Sequence, residues 1–493
     1  ISRVMTLYVE SCVFQQYFSC LNLFQCLITC AVLILAAGAG HPIGFSAVAL
    51  PQLRIENSTM RIDDEMGSWI ASIHSAATPL GSIMSGPIME AIGRKRTLQT
   101  CTLPLIVGWI IIGTATHHAL LLLGRIVCGF AVGIMAAPSQ VYLGEISEPR
   151  LRGLLIGTPF VAYSLGVLYV YALGGALPWR SVAHLSTVLP ALAFLALCFS
   201  PESPTWLARR GRFHDAMAAM SRLRGDPDTA QRELHELISA REKEKARGEE
   251  KINFLATVTR APVLKPLLLI NAFNLLQILS GSYVVIFYAV DIEVMFDWQM
   301  AANASALVRL VVTVLACILL LRVTRRALVL VSGVGTAVCT LALAALLARG
   351  PGTGITPPAL ILGYVAFNTL GFFLLPGLMI GELLPTKVRG LCGGYIFCVF
   401  NSVLFGFTKL YPVMKNSIGI AGVFGLFGAS SLLATLVLFL LLPETKGKSL
   451  LQIEQYYQKS NILWISRKNR ANWHESNLQL VCLVLTRVLT PKI

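Results

Sequence analysis

Apolar residues in this chain arrive in runs long enough to cross hydrocarbon, parted by charged or Gly/Pro-bearing turns, from Cys26 to Leu442. A bilayer core of about 30 Å is crossed by about 20 predominantly apolar helical residues. Runs of that kind predict spans at 26–50, 67–89, 98–116, 119–143, 154–175 and 178–199, then at 266–289, 304–321, 327–348, 357–381, 391–413 and 419–442. The eighth is the most weakly written, because Arg309 interrupts it. The expected fold is an all-α membrane protein of twelve transmembrane helices in two six-helix bundles. The expected organisation is a cytoplasmic segment at 1–25, an N-terminal bundle at 26–199, a helical linker at 200–264, a C-terminal bundle at 265–442 and a cytoplasmic tail at 443–493.

The linker mixes charges, with Arg232, Glu233, Glu236, Arg241, Glu242, Lys243, Glu244 and Lys245 close together. It reads as short solvated helices, either a solubilising connection or a bracket across the inner gate. Leu21 to Leu50 is too long for a secretory signal and lacks a cleavage pattern, so it is read as the first span. Leu478 to Leu489 is too short to cross and contains Arg487.

An internal repeat makes the two bundles pseudosymmetric. Glu145 is followed seven residues on by Arg152-Gly153, and Glu382 seven on by Arg389-Gly390. Pro201-Glu202 closes the first set of spans and Pro443-Glu444 the second, while basic turns stand at Arg94-Lys95-Arg96 and Arg325-Arg326. Because six is even, both halves enter the membrane in the same sense. Parallel halves about an axis along the membrane normal are a transporter architecture, with the substrate between them near mid-bilayer.

Composition and charge narrow the class. Of 493 residues, 55% are hydrophobic and 13% charged, with a mean hydropathy of +0.69, whereas soluble proteins carry about 25% charged residues. A disordered chain, a coiled coil and an ordinary soluble enzyme are excluded. The net charge of +15 reports topology. Of the basic residues, only Arg54, Arg61, Arg180, Arg349, Lys409 and Lys415 fall on connections assigned outside, and Arg125 and Arg309 lie within apolar stretches. The rest lie on inner segments, the bias that sets orientation in membrane proteins, with both termini cytoplasmic. No basic reading face for nucleic acid is written in the chain. None of the 12 cysteines falls on a predicted outer loop, so no disulfide framework is expected. No metal-ligand spacing and no cofactor motif appear. Two sequons, at Asn57 and Asn303, fall on loops assigned outside and are glycosylation candidates.

The repeated motifs place charges at helix ends, where they stay hydrated or pair. Gly86 to Lys95, with Glu90, Gly93 and Arg94, forms a tight turn carrying a basic cluster. Glu145 and Glu382 are expected to pair with a neighbouring guanidinium, and Arg152 and Arg389 with Glu202 and Glu444. Such pairs, with Arg325 in the second half, would hold the inner side shut and break when it opens; static anchoring is the blander reading.

Pro201-Glu202-Ser203-Pro204-Thr205-Trp206-Leu207, Gly124-Arg125, Gln277 with Ser280-Gly281, and Pro443-Glu444-Thr445-Lys446-Gly447 resemble the sugar porters of the major facilitator superfamily over about residues 26 to 457. Tyr142-Leu143-Gly144-Glu145, with Gly153 and Pro159, is similar to the insect branch of facilitated trehalose transporters. The resemblance implies twelve helices in two bundles, alternating access, and a neutral mono- or disaccharide as substrate. It also implies substrate contacts at Gln277 and Ser280 and an outer-gate tyrosine at Tyr288.

A buried polyol needs side-chain donors and acceptors and an aromatic face, otherwise its hydroxyls go unpaired. Gln277, Ser280, Ser282, Tyr283 and Tyr288 offer these on the seventh span. The family pattern is rewritten elsewhere: Ile278 and Tyr283 replace amides, Arg309 stands at an asparagine position, Gly377 replaces a tryptophan, Asn401 lies one residue late beside Ser402, and Thr324 replaces the glycine of the second basic turn. For Arg309 three readings stand. It snorkels outward past Asn303, it faces the cavity and favours an anionic or strongly polar substrate, or it marks a site no longer used for sugar. His41 is read as structural rather than as a proton relay, and Gly38, Gly40 and Gly44 as packing positions. No Asp or Glu lies between Cys26 and Leu50, which favours facilitated over proton-coupled movement. The expected function is sugar transport in the plasma membrane, with the bilayer and a small solute as the only partners implied. An organic-anion transporter and a non-transporting sensor are the rivals, and no catalytic set is visible.

Overall fold

The structure, a computed structural model, describes residues 23–55, 60–147, 152–246, 258–289, 301–349, 355–385, 388–446, 453, 456 and 457. Asn57 and nearly all of both terminal segments lie outside these residues, as do the side chains of Arg152 and Arg389.

The N-terminal half comprises α1 (Leu23–Arg54), α2 (Asp64–Ile92), α3 (Arg94–Gly113), α4 (His118–Ile146), α5 (Arg152–Gly174) and a sixth crossing built from α6 (Trp179–Leu185) and α7 (Val188–Phe199). The linker holds α8 (Pro204–Arg209), α9 (Phe213–Arg224) and α10 (Pro227–Ala246). The second half comprises α11 (Ala261–Leu279), α12 (Val284–Phe287), α13 (Ala301–Arg322), α14 (Arg325–Ala348), α15 (Thr356–Asn368), a π-helix at Thr369–Phe373, α16 (Leu375–Leu383) and α17 (Arg389–Leu441). Ten of the described helical stretches are long and apolar enough to cross a membrane. One of them, Cys392–Leu441, is 50 residues long and is broken at Gly419, where φ is 68°, so it supplies the eleventh and twelfth crossings. The remaining crossing is α2, whose polar content keeps it off that set. The twelve predicted spans are therefore all helical, including the eighth.

The polarity of α2 has a structural use. Ser68, Ser72, His74, Ser75, Thr78, Ser82 and Ser85 are buried along it, and Ser72, Thr78 and Ser85 return their hydroxyls to the carbonyls of Ser68, His74 and Ser82. This helix packs on α4 through small residues. A side-chain carbon added at Gly81, Gly129 or Gly133 would collide with the carbonyls of Phe130, His74 or Thr78. Small-residue contacts of this kind substitute for the hydrophobic effect between helices in lipid.

Between the halves, α2 packs on α17 and α5 on α13. The linker is bolted to the first half. Trp206, Leu207, Ala216, Ala219 and Leu234 form its own apolar cluster. Trp206 Nε1 donates to Glu90 O (3.0 Å), Arg224 Nη1 to Ile146 O (3.0 Å) and Tyr142 OH to Pro201 O (2.6 Å).

Candidate functional site

The charged motifs assemble as two copies of one cluster. In the first, Arg94 is 2% exposed and lies between two carboxylates, Nη2 to Glu90 at 2.9 Å and Nε to Glu145 at 3.0 Å. Ser203 Oγ donates to the same Glu145. Glu202 accepts from the amides of Arg94 (2.8 Å), Lys95 (3.0 Å) and Arg96 (3.4 Å), so its carboxylate caps the N-terminus of α3. Gly93 has φ 101°, and its missing Cβ is the space that carboxylate occupies. Lys95 Nζ reaches Cys198 O at 3.1 Å, while Gly86 has open space around it.

In the second copy Arg325 Nη2 lies 2.9 Å from Glu382, Thr445 Oγ1 donates to Glu382 at 2.6 Å, and Glu444 accepts from the amides of Arg325 and Arg326, both at 3.3 Å. Glu202 and Glu444 sit on the backbone amides that open α3 and α14, because four unpaired N–H groups at a helix start attract a carboxylate; the expected pairs with Arg152 and Arg389 rest on side chains outside the described residues. One expectation needs correction. The pairs through Arg94 and Arg325 each join helices of a single half, so they brace the bundles internally and do not latch one half to the other.

The described hydrogen bonds between halves lie elsewhere. Cys317 Sγ meets Gly157 O at 3.9 Å and Ser164 Oγ meets Thr313 Oγ1 at 3.3 Å. Toward the end opposite the basic turns, Tyr171 OH donates to Ile286 O at 2.6 Å. There too Lys409 Nζ donates to Ser68 Oγ at 2.7 Å while standing 4.1 Å above the Trp69 ring. Lys409 is thus a residue of α17 and not of an outer loop. Asn303 is half-buried in the first turn of α13, with Ser305 buried two residues on.

At the centre, two helices break. The seventh crossing is interrupted by Ser280-Gly281-Ser282-Tyr283, where Gly281 has φ 84° and the ring of Phe427 fills the space a side chain would need. Ser280 Oγ (2.6 Å) and Ser282 Oγ (3.0 Å) both donate to Gln277 O, satisfying the carbonyl that the break frees. Ser280 also receives Asn368 Nδ2 at 3.3 Å, and its carbonyl accepts Tyr364 OH at 3.0 Å. The tenth crossing loosens into the π-helix at Thr369–Phe373, just before Pro376, which has no amide to return to Phe372. Phe372 N donates to Ser332 Oγ (3.0 Å). Breaks of this kind in crossing helices are where transporter sites form.

Of the residues expected to touch substrate, Gln277 is buried with its amide unbonded among the described residues. Tyr283 meets Phe373 (5.8 Å) and Phe400 (5.4 Å) ring to ring, and Asn401 Nδ2 is returned to Phe397 O at 2.8 Å. The Ser280 hydroxyl closes the helix break. Tyr288 is buried on Tyr411 (ring centroids 4.5 Å) with its hydroxyl toward Thr408 O (3.4 Å). Arg309 does not snorkel. It is 3% exposed, with its guanidinium 5.2 Å from the centre of the Phe373 ring, on the helix face of Ala306, Thr313 and Ala316 that packs inward. His41 is buried and stacked on Tyr169 at 5.1 Å. Sequence reasoning missed Tyr163, Tyr364, Asn368 and Phe373; only their place on the same spans as the motifs hinted at them.

The chain matches the family described as Sugar (and other) transporter over residues 28–457. It is 30% identical over 443 residues to a facilitated trehalose transporter Tret1 of Culex quinquefasciatus, covering 87% of this chain and 85% of that one. It is 30% identical over 445 residues to the Tret1 of Apis mellifera ligustica, with 88% of each chain covered. Against the Aedes aegypti Tret1, 31% identical over 443 residues, the match covers 87% of this chain and 55% of the relative's length. In structure it is similar to the proton:xylose symporter XylE bound to 6-bromo-6-deoxy-D-glucose (TM-score 0.75, 18% identity, 88% of this chain and 99% of that one). It is also similar to the inward-open form of the xylose transporter XylE from E. coli (TM-score 0.72, 17% identity, 87% and 99% covered). The fold is that of the major facilitator superfamily, and the chain belongs to its sugar-transporter family.

Proposed function

We propose that this protein carries a sugar-class solute downhill across the plasma membrane by alternating access, with trehalose and hexoses as the first candidates. The observation that carries the reading is the pair of helix breaks at Gly281 and Thr369–Phe373, which gather Gln277, Tyr283, Tyr364 and Asn368 between two like-oriented halves. Gln277 and Asn401 Oδ1 offer polar groups to a polyol, and the rings of Tyr283, Phe373 and Phe400 an apolar face. The halves rock about this centre, and the Arg94 and Arg325 clusters keep each half rigid as it moves. The basic turns and the linker face the cytosol, with both termini, as the positive-inside bias requires. The relatives named for facilitated trehalose transport, together with a first span free of carboxylates, support movement without proton coupling.

The test is uptake of radiolabelled trehalose and glucose into cells lacking endogenous carriers. Saturable uptake that is unchanged by a protonophore and falls at least tenfold in Gln277→Ala is expected. Uptake abolished by the protonophore overturns the facilitated mechanism.

A further inference from the structure

The two arginines buried within the crossings are treated in opposite ways. Arg125 is saturated by its own half: Nε donates to Ile70 O at 3.0 Å, Nη1 to Pro42 O, and Nη2 to Ser46 Oγ and Ala71 O. It is a structural strut. Arg309 lies on the surface where the halves meet, and among the described residues its guanidinium donates to no acceptor, with Nη1 fully buried and unbonded. No described carboxylate reaches it. What surrounds it is aromatic and hydroxylic: the ring of Phe373 and, within electrostatic reach, Tyr163, Tyr171, Tyr283 and Tyr364. Tyr171 and Tyr364 already donate their hydroxyl protons to Ile286 O and Ser280 O. The hydroxyls of Tyr163 and Tyr283 have no such partner among the described residues and remain free to donate.

A buried guanidinium without counter-charge or acceptor is the least stable arrangement a folded chain can keep, unless a ligand completes it. A neutral sugar could accept hydrogen bonds there but would leave the charge uncompensated. A carboxylate supplies both, since its two oxygens match the guanidinium fork. From this we propose that the central site selects a sugar acid, a polyhydroxylated solute bearing one carboxylate, such as an aldonate or a uronate. The carboxylate pairs with Arg309, Tyr163 and Tyr283 donate to it from either half, and the hydroxylated remainder lies toward Gln277 with a C–H face on Phe373. Closure of the halves would then be coupled to neutralisation of Arg309, because Tyr163 stands on α5 and Arg309 on α13.

The inference rests on the sugar-transport reading and narrows it, so the experiment separates the two. The full chain is reconstituted in liposomes, and uptake of radiolabelled gluconate, glucuronate, glucose and trehalose is measured in parallel. Gluconate or glucuronate uptake at least tenfold above glucose is expected, with loss of at least tenfold for the anion in Arg309→Gln and partial retention in Arg309→Lys. The wild-type ratio needs no variant, so it stands even if Arg309→Gln fails to fold. Neutral sugars carried with the acids excluded overturns the inference and leaves the transport reading intact. Failure to carry any of the four overturns both. Anion uptake unchanged in a folded Arg309→Gln also overturns the inference.

Discussion

At the scale of single residues, the two basic turns solve one problem with different chemistry. In the first, a left-handed Gly93 lets the Glu202 carboxylate lie against the backbone at the start of α3. In the second, Thr324 takes extended geometry and supplies a cap of its own, its hydroxyl oxygen accepting from Ala327 N at 3.3 Å, while Glu444 still accepts from the amides of Arg325 and Arg326. The missing glycine of the second turn is therefore compensated. Gly93→Ala places a Cβ both at an unfavourable φ and against Glu202, and a loss of about 2–3 kcal/mol in thermal or denaturant stability is expected. Thr324→Ala removes only a cap and should lose about 1 kcal/mol, whereas Thr324→Gly should lose a few tenths. A Gly93→Ala protein as stable as Thr324→Gly would mean that Glu202 does not sit where it is described. The motif residues Arg94, Glu145, Glu202 and their counterparts were legible in the sequence because the repeat marks them. The amides from which Glu202 and Glu444 accept were not, since a helix-end amide carries no residue signature.

At the scale of the element, the crossings could be read from runs bounded by charged turns, the polar α2 least plainly, but where a crossing breaks could not. Hydropathy averages over the four residues that turn at Gly281, and the π-helix at Thr369–Phe373 differs from its neighbours by backbone bonding alone. The Ser280 hydroxyl was legible as a polar group, but its bond to the Gln277 carbonyl was not. Polarity inside a span signals either a substrate or an unmet backbone group, and the sequence does not distinguish them. Two hydroxyls meet the one carbonyl of Gln277, so they back each other up. Ser280→Ala or Ser282→Ala alone should lower stability by less than about 1 kcal/mol, and the double variant by more than the sum, because only then is the buried acceptor left unpaired. Denaturant midpoints in detergent, with the double-mutant cycle, check this. Strict additivity would mean that the two serines do not share one acceptor.

At the scale of the whole molecule, the distribution of contacts assigns different work to the two ends. Charged clusters stiffen each half at the end with the basic turns, and the bonds from Tyr171 to Ile286 and from Lys409 to Ser68 join the halves at the other. A carrier that alternates must have cross-half bonds weak enough to break within its cycle. An ammonium shared among the Ser68 hydroxyl, the Glu65 carbonyl at 3.5 Å and the Trp69 ring fits that demand better than a desolvated ion pair, since the pieces are individually worth about 1 kcal/mol. Lys409→Met removes all three while keeping the stem's bulk against α2. The population with that end open should rise about three- to tenfold, read as faster hydrogen–deuterium exchange in peptides covering 60–72 with no change around Arg94. If exchange at 60–72 is unaltered while the Arg94 region loosens, the gate lies at the basic end and the internal-brace assignment of the ion pairs is wrong. Neither end could have been assigned from sequence. The motifs advertise the ends that must stay rigid, whereas a single lysine in an apolar run looked like the edge of a loop.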